Sequence, residues 1–316
     1  MEPDYYVIWP YDQGGCTCPD CAPWGANGFL RVANALRPLI EKYYPNTKIC
    51  LSAWYFDRFV HGEWEAFYHA IQEGDYRDWI SYIVAFFPEG GKIPQFIQEE
   101  KSVAGIPLID FPEISMFGAE PWGGFGENAT PNMFTNIWER TKPFFQGGFP
   151  YSEGIFEDIN KAVMLSFYSG RFASGEDVVR EYVKFEFSPD LVDEITEIVM
   201  QLEGSIIRVR VNEENPPAGK TNYRFAIKYP ENVDYIYECA KKADDRLDAV
   251  TKACWRWRII YLRAAIDHEL VHSDYYISPQ CEKYLNELTE IYFAQNADYV
   301  VAPPTPKAVA EDRGIA

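Results

Sequence analysis

At 316 residues and 47% hydrophobic content, the chain is long enough for one large or two ordinary globular domains. A net charge of −19, from 48 acidic against 29 basic residues, argues against nucleic acid, which is bound by neutralising phosphates, and against an anionic membrane surface. No run approaches the ~20 apolar residues of a membrane span, and the N-terminal MEPDYY has neither the basic nor the apolar region of a signal peptide.

In chain order, YYVIWP predicts a strand and NGFLRVANALRPLIEKYY an amphipathic helix. KICLSAWYF, WISYIVAFF, PLIDFPEISM and the FFQGGFPYSEG segment read as further strands, with helical WEAFYHAIQ and FTNIWERTK among them. Strands alternating with helices predict βαβ units and a mainly parallel sheet. After about Gly175 the pattern turns helical: EDVVREYVKFEF, PDLVDEITEIVMQLE, one long helix from about Val233 to Tyr275, and CEKYLNELTEIYFAQ. A Pro-Pro-Ala-Gly loop at Pro216 to Gly219 interrupts this region. The expected organisation is a catalytic α/β portion over 1–175, an α-helical domain over 176–300 and a disordered tail over 301–316.

Each proposed strand ends in acidic residues: Asp12, Asp57, Glu89, Asp110 with Glu113, and Glu153 after Tyr151. Chemistry in parallel sheets gathers at the carboxyl ends of the strands. Glycoside hydrolysis needs one carboxylic acid for the leaving oxygen and a second carboxylate to activate water or stabilise the cation. Helix capping or solvation explains any single one of these groups equally well. Aromatic residues reach 16% of the chain, and flat rings stack on sugars, so Trp24, Trp54 and Trp122 are candidate sugar contacts as well as core residues.

Seven cysteines, an odd number with Cys16, Cys18 and Cys21 crowded together, read as thiols in a reducing, cytoplasmic setting. A zinc ion on that trio needs a fourth ligand, and Cys50 stands alone, so loop packing with no metal is the expectation. His268-Glu269-Leu270-Val271-His272 matches the HExxH pattern of zinc peptidases, with Glu287 or Glu290 as a third ligand. Core or interface histidines on the helix stripe explain it as well. Asn128-Ala129-Thr130 is a glycosylation sequon without other signs of secretion. No nucleotide-binding glycine loop is present in the sequence, and no cofactor is expected.

The run YDQGGCTCPDCAPWGANGFLRVANALRPLIEKYYPNTKICLSAWYFD, with PWGGFGENATP and PYSEGIFEDINKAV, resembles two groups of barrel glycosidases. One is glycoside hydrolase family 67, the α-glucuronidases; the other contains family 163, endo-acting β-N-acetylglucosaminidases. The resemblance implies an eight-stranded (β/α) barrel, a substrate carrying a uronic acid or an N-acetylhexosamine, and a role in carbohydrate metabolism. It places Asp12 near the general-acid position and Glu89 and Asp110 at the two carboxylates that serve the water. Glu113 and Glu153 are reserve carboxylates and, with Tyr151, candidate substrate contacts. Two departures stand out. The acid position holds Asp12 followed by Gln13, where these families supply Glu or an acidic pair. The chain also begins at what corresponds to the fourth barrel strand, so the remaining strands are expected from another polypeptide or a second copy, unless the chain is a fragment. The function expected is a glycosidase; the alternatives are a non-catalytic carbohydrate-binding or assembly subunit and a zinc metallopeptidase.

Overall fold

The computed structural model describes residues 2–10, 16–58, 60–115, 129–152, 156–206, 208–212 and 223–293. The expected disordered tail at 301–316 lies outside them, as does the Pro216–Gly219 loop. The chain divides into two compact units, Met1–Glu113 with Asn136–Pro150, and Ile114–Thr135 with Tyr151–Ala316. This division interleaves the chain, whereas the sequence reading places a single boundary near 175.

The first unit is α/β. Strands β1 (Tyr5–Ile8), β2 (Lys48–Ser52), β3 (Ile80–Ala85), β4 (Leu108–Asp110) and β5 (Phe145–Gly148) form one sheet in the order β1-β2-β3-β4-β5. All four pairings are parallel. Every strand lies beside its successor, as barrel strands do; a doubly wound sheet reverses direction part-way. Among the described residues β1 and β5 each pair on one side only, so the sheet is open. Helices α1 (Leu30–Tyr43), α2 (Glu63–Glu73) and α3 (Gln95–Glu100) supply the crossovers, and α4 (Pro131–Thr141) precedes β5.

The pleat sorts the side chains. Ile49, Leu51 and Ala53 on β2, with Ile83, Ala85 and Phe87 along β3, join the core cluster formed with Phe29, Leu30, Phe67, Ile71 and Ile97 from the helical segments. Because side chains alternate, Cys50, Ser52 and Trp54, with Tyr82, Val84 and Phe86, stand on the opposite face. A glycine is required where α1 begins. A Cβ on Gly28 would meet the Trp24 indole at 1.9 Å, so only glycine lets that ring close over the turn Gly25–Phe29.

The second unit is mainly helical: α5 (Asp158–Ser169), α6 (Gly175–Glu186), α7 (Val192–Ser205), α8 (Val233–Arg246), α9 (Ala249–Ala253), α10 (Trp255–His272) and α11 (Pro279–Phe293). The single long helix expected from Val233 to Tyr275 is three helices. Leu247 and Cys254 adopt extended backbone, and Asp248 caps α9 by accepting the amides of Val250 (2.8 Å) and Thr251 (3.1 Å). Val250, expected on the buried stripe, is 81% exposed for that reason. An antiparallel hairpin of β6 (Arg208–Asn212) and β7 (Tyr223–Ile227) also escapes the helical reading, although RVRVN alternates with the period of a strand. Helix α10 is the centre of this unit. Ile259, Leu262, Ile266 and Leu270 form a core cluster with Cys281, Leu285 and Leu288 of α11.

No helix among the described residues is long and apolar enough to cross a membrane.

Candidate functional site

One aromatic side chain follows each strand of the first unit: Trp9 after β1, Trp54 after β2, Phe86 after β3, Phe111 after β4 and Phe149 after β5. They touch one another. Trp54 stacks on Phe86 (ring centroids 6.1 Å apart, 17° between planes) and meets Phe111 edge-on at 5.5 Å. Trp9 lies 4.8 Å from Phe111 and 5.9 Å from Trp54, and Phe149 is 4.9 Å from Phe111. Trp9 and Phe149 remain 37% and 40% exposed, so the cluster presents an open aromatic surface at the carboxyl ends of the strands.

The loop after β2 adds charge to this surface. Tyr55 and Asp57 have φ of 61° and 63°, a left-handed conformation that non-glycine residues adopt only when neighbours hold it. Tyr55 packs 4.9 Å from Trp54, and the exposed Arg58 guanidinium lies 4.3 Å from the Tyr55 ring centre. The loop is closed by Asp57 and Glu63. The Asp57 amide donates to the Glu63 carboxylate (3.1 Å), and the Glu63 amide donates to that of Asp57 (2.7 Å). Glu63 is 2% exposed, and burial raises its carboxyl above the ordinary value, opposed by hydrogen bonds from the amides of Asp57 and Gly25.

Of the expected catalytic residues, Asp110 is the last residue of β4 and is almost wholly enclosed. It shares its side of the pleat with Leu108, while Phe111 turns to the aromatic face. Glu89 is exposed in the turn after β3, a turn fastened by Arg140. That guanidinium donates to the carbonyls of Phe87 (2.7 Å), Pro88 (2.6 Å) and Gly91 (2.8 Å). Glu113 is buried. Trp54 belongs to the aromatic cluster, whereas Trp24 packs against the core of the unit. Asp12, Trp122 and Glu153 lie outside the described residues.

Tyr151 is half-buried in the second unit, beside a buried polar group that sequence reasoning missed. Glu157 is fully enclosed, accepts from the Ser152 hydroxyl (2.6 Å) and lies 3.5 Å from Lys161. Asn160 accepts from the Thr130 amide and donates to the Ile114 carbonyl, both at 2.9 Å. The signal for these residues was PYSEGIFEDINKAV itself, whose polar residues interrupt an otherwise apolar strand-to-helix turn.

Two clusters among the described residues have donor sets suited to a metal. The thiols of Cys16, Cys18 and Cys21 converge in the first unit. In the second, Asp234 meets both imidazoles of the HExxH segment, 2.7 Å from His272 Nε2 and 3.6 Å from His268 Nε2. Neither expected third ligand belongs to this cluster, whose members are Asp234, His268 and His272: Glu287 pairs with Arg258 at 2.7 and 3.0 Å, and Glu290 is not among them. Glu269, the would-be base of a peptidase, accepts from the Ser278 hydroxyl at 2.7 Å. Burial, then the neighbouring His272, pushes the His268 imidazole below its ordinary value.

No protein family matches the chain in sequence, and neither does any curated protein. In structure it is similar to a glycoside hydrolase family 115 4-O-methyl-α-glucuronidase with specificity for decorated arabinogalactans. The TM-score is 0.60 at 10% identity, over 96% of this chain and 43% of the glucuronidase. The likeness is one of fold. The chain spans less than half the length of that enzyme.

Proposed function

We propose that the chain binds a saccharide over the aromatic face at the carboxyl ends of its strands and hydrolyses a glycosidic bond there. The observation that carries this is the ring supplied by each of the five strands, because aromatic planes gathered at the carboxyl ends of the strands match the apolar faces of pyranoses. The likeness to an α-glucuronidase supports the same reading. Arg58, stacked beside the cluster, favours a uronic-acid unit over an N-acetylhexosamine, since a guanidinium pairs with a carboxylate in two parallel hydrogen bonds. This keeps the substrate within the class that the resemblance to the α-glucuronidases implies.

In this proposal Asp12 is the acid and Glu89 serves the water, while the buried Asp110 and Glu113 support the strand ends from behind the aromatic face. Inverting chemistry then needs a carboxyl separation of about 6.5–9.5 Å. The open edges of β1 and β5 are where a second polypeptide would complete the sheet.

The test is an aryl-glycoside panel containing α-glucuronides and N-acetyl-β-glucosaminides, run beside glycan-binding measurements on the same preparation. Turnover of a glucuronide that Glu89→Gln abolishes supports hydrolysis. Saccharide binding without turnover, lost in Trp54→Ala, favours a non-catalytic carbohydrate-binding subunit. Neither binding nor turnover ends the proposal.

A further inference from the structure

Cys16-Thr17-Cys18-Pro19-Asp20-Cys21 forms a tight turn in which the amides of Cys21 and Ala22 donate to the Cys18 carbonyl at 3.0 and 2.9 Å. All three Sγ atoms lie within 4.8 Å of one another. Thiolates packed this closely suit one metal ion, since the thiolate is the form that binds metals.

We propose that Cys16, Cys18 and Cys21 bind a thiophilic divalent ion, zinc above all, as a three-sulfur site with its fourth position open. Tetrahedral zinc with sulfurs at about 2.3 Å sets them about 3.8 Å apart, so the three thiols need only a small contraction to reach that geometry. Two of them are already exposed, which gives the ion an entry path. Each thiol that binds gives up its proton to solvent, so full loading releases three protons and leaves one net negative charge on the site. Water or an external ligand fills the open position. The chemistry separates this site from the Asp234–His268–His272 cluster, which has nitrogen and oxygen donors and no sulfur.

The experiment uses the full chain, stripped with a chelator, kept reduced with a phosphine and titrated with Co²⁺. The expected result is a sulfur-to-cobalt charge-transfer absorption in the near ultraviolet that saturates at one equivalent and disappears on adding Zn²⁺. Cys16→Ser and Cys18→Ser should each weaken binding at least tenfold, with an unchanged circular dichroism spectrum because both side chains are exposed. His272→Ala should leave the band intact. X-ray absorption of the zinc form should count three sulfurs at about 2.3 Å. The proposal is overturned if no charge-transfer band appears, or if the band survives in Cys18→Ser.

Discussion

Asp57 and Glu63 each donate a backbone amide to the other's carboxylate, at 3.1 and 2.7 Å, closing the loop that carries Tyr55 and Arg58. Burial raises the Glu63 carboxyl, so the folded chain holds that proton to a higher pH than the unfolded chain does. Above 4.5, the ordinary glutamate value, the folded state therefore binds more protons, and stability falls as pH rises through the folded value. Glu63→Gln removes this titration. Urea midpoints measured across that window should decline for the wild type and stay flatter for the variant. A variant with an undiminished decline would assign the effect to other groups.

Trp54 touches Trp9, Tyr55, Phe86 and Phe111, so it is the centre of the aromatic face. Trp54→Ala should weaken saccharide binding about tenfold, ~1.4 kcal/mol, and Trp54→Phe should recover part of it. Isothermal titration with the best oligosaccharide of the panel reads both.

Arg58→Ala should act on charge and leave the stacking surface in place. Affinity for a uronic-acid ligand should fall about five- to tenfold while that for the neutral sugar changes little, a discrimination of about 1 kcal/mol. Equal losses for both ligands would mean that Arg58 only supports Tyr55.

Arg140 spans three carbonyls of the turn that holds Glu89. Replacement by methionine removes all three hydrogen bonds and keeps most of the apolar stem, at an expected cost of about 1–3 kcal/mol. Limited proteolysis should then cut near Gly90 and Gly91 before any other described loop of the first unit.

Gly175 and Gly204 make a matched pair in the second unit. A Cβ at Gly175 would lie 2.4 Å from the Pro131 carbonyl oxygen, a backbone atom that no rotamer can move, so Gly175→Ala should destabilise by about 1–3 kcal/mol. Gly204, near the end of α7, has open space around it, and Gly204→Ala should stabilise by about 0.5–1 kcal/mol through helix propensity. Thermal melts of the two variants should move in opposite directions.

Local pattern made the parallel sheet readable: apolar runs such as WISYIVAFF and KICLSAWYF bury both faces, and the helices between them have one apolar stripe. The breaks at Leu247 and Cys254 were harder to see. The apolar spacing runs across both, and Asp248, a polar residue on an exposed position, starts α9 with its side chain directly after Leu247 ends α8. Glu63 was invisible as a closing residue because its partner is set by a left-handed backbone at Asp57, and no residue type announces that conformation.

By itself the sequence determined the α/β character, the acidic surface, the helical second half and the three thiols packed into one short turn, all properties of neighbours along the chain. Tertiary structure alone decided which acids and rings share a surface. Strand pairing and pleat parity bring Trp9, Trp54, Phe86, Phe111 and Phe149 together from five separate segments, and they turn Asp110 to the other side of β4 from Phe111. Residues far apart in sequence become neighbours only through the register of hydrogen bonds between strands, and that register depends on the whole sheet.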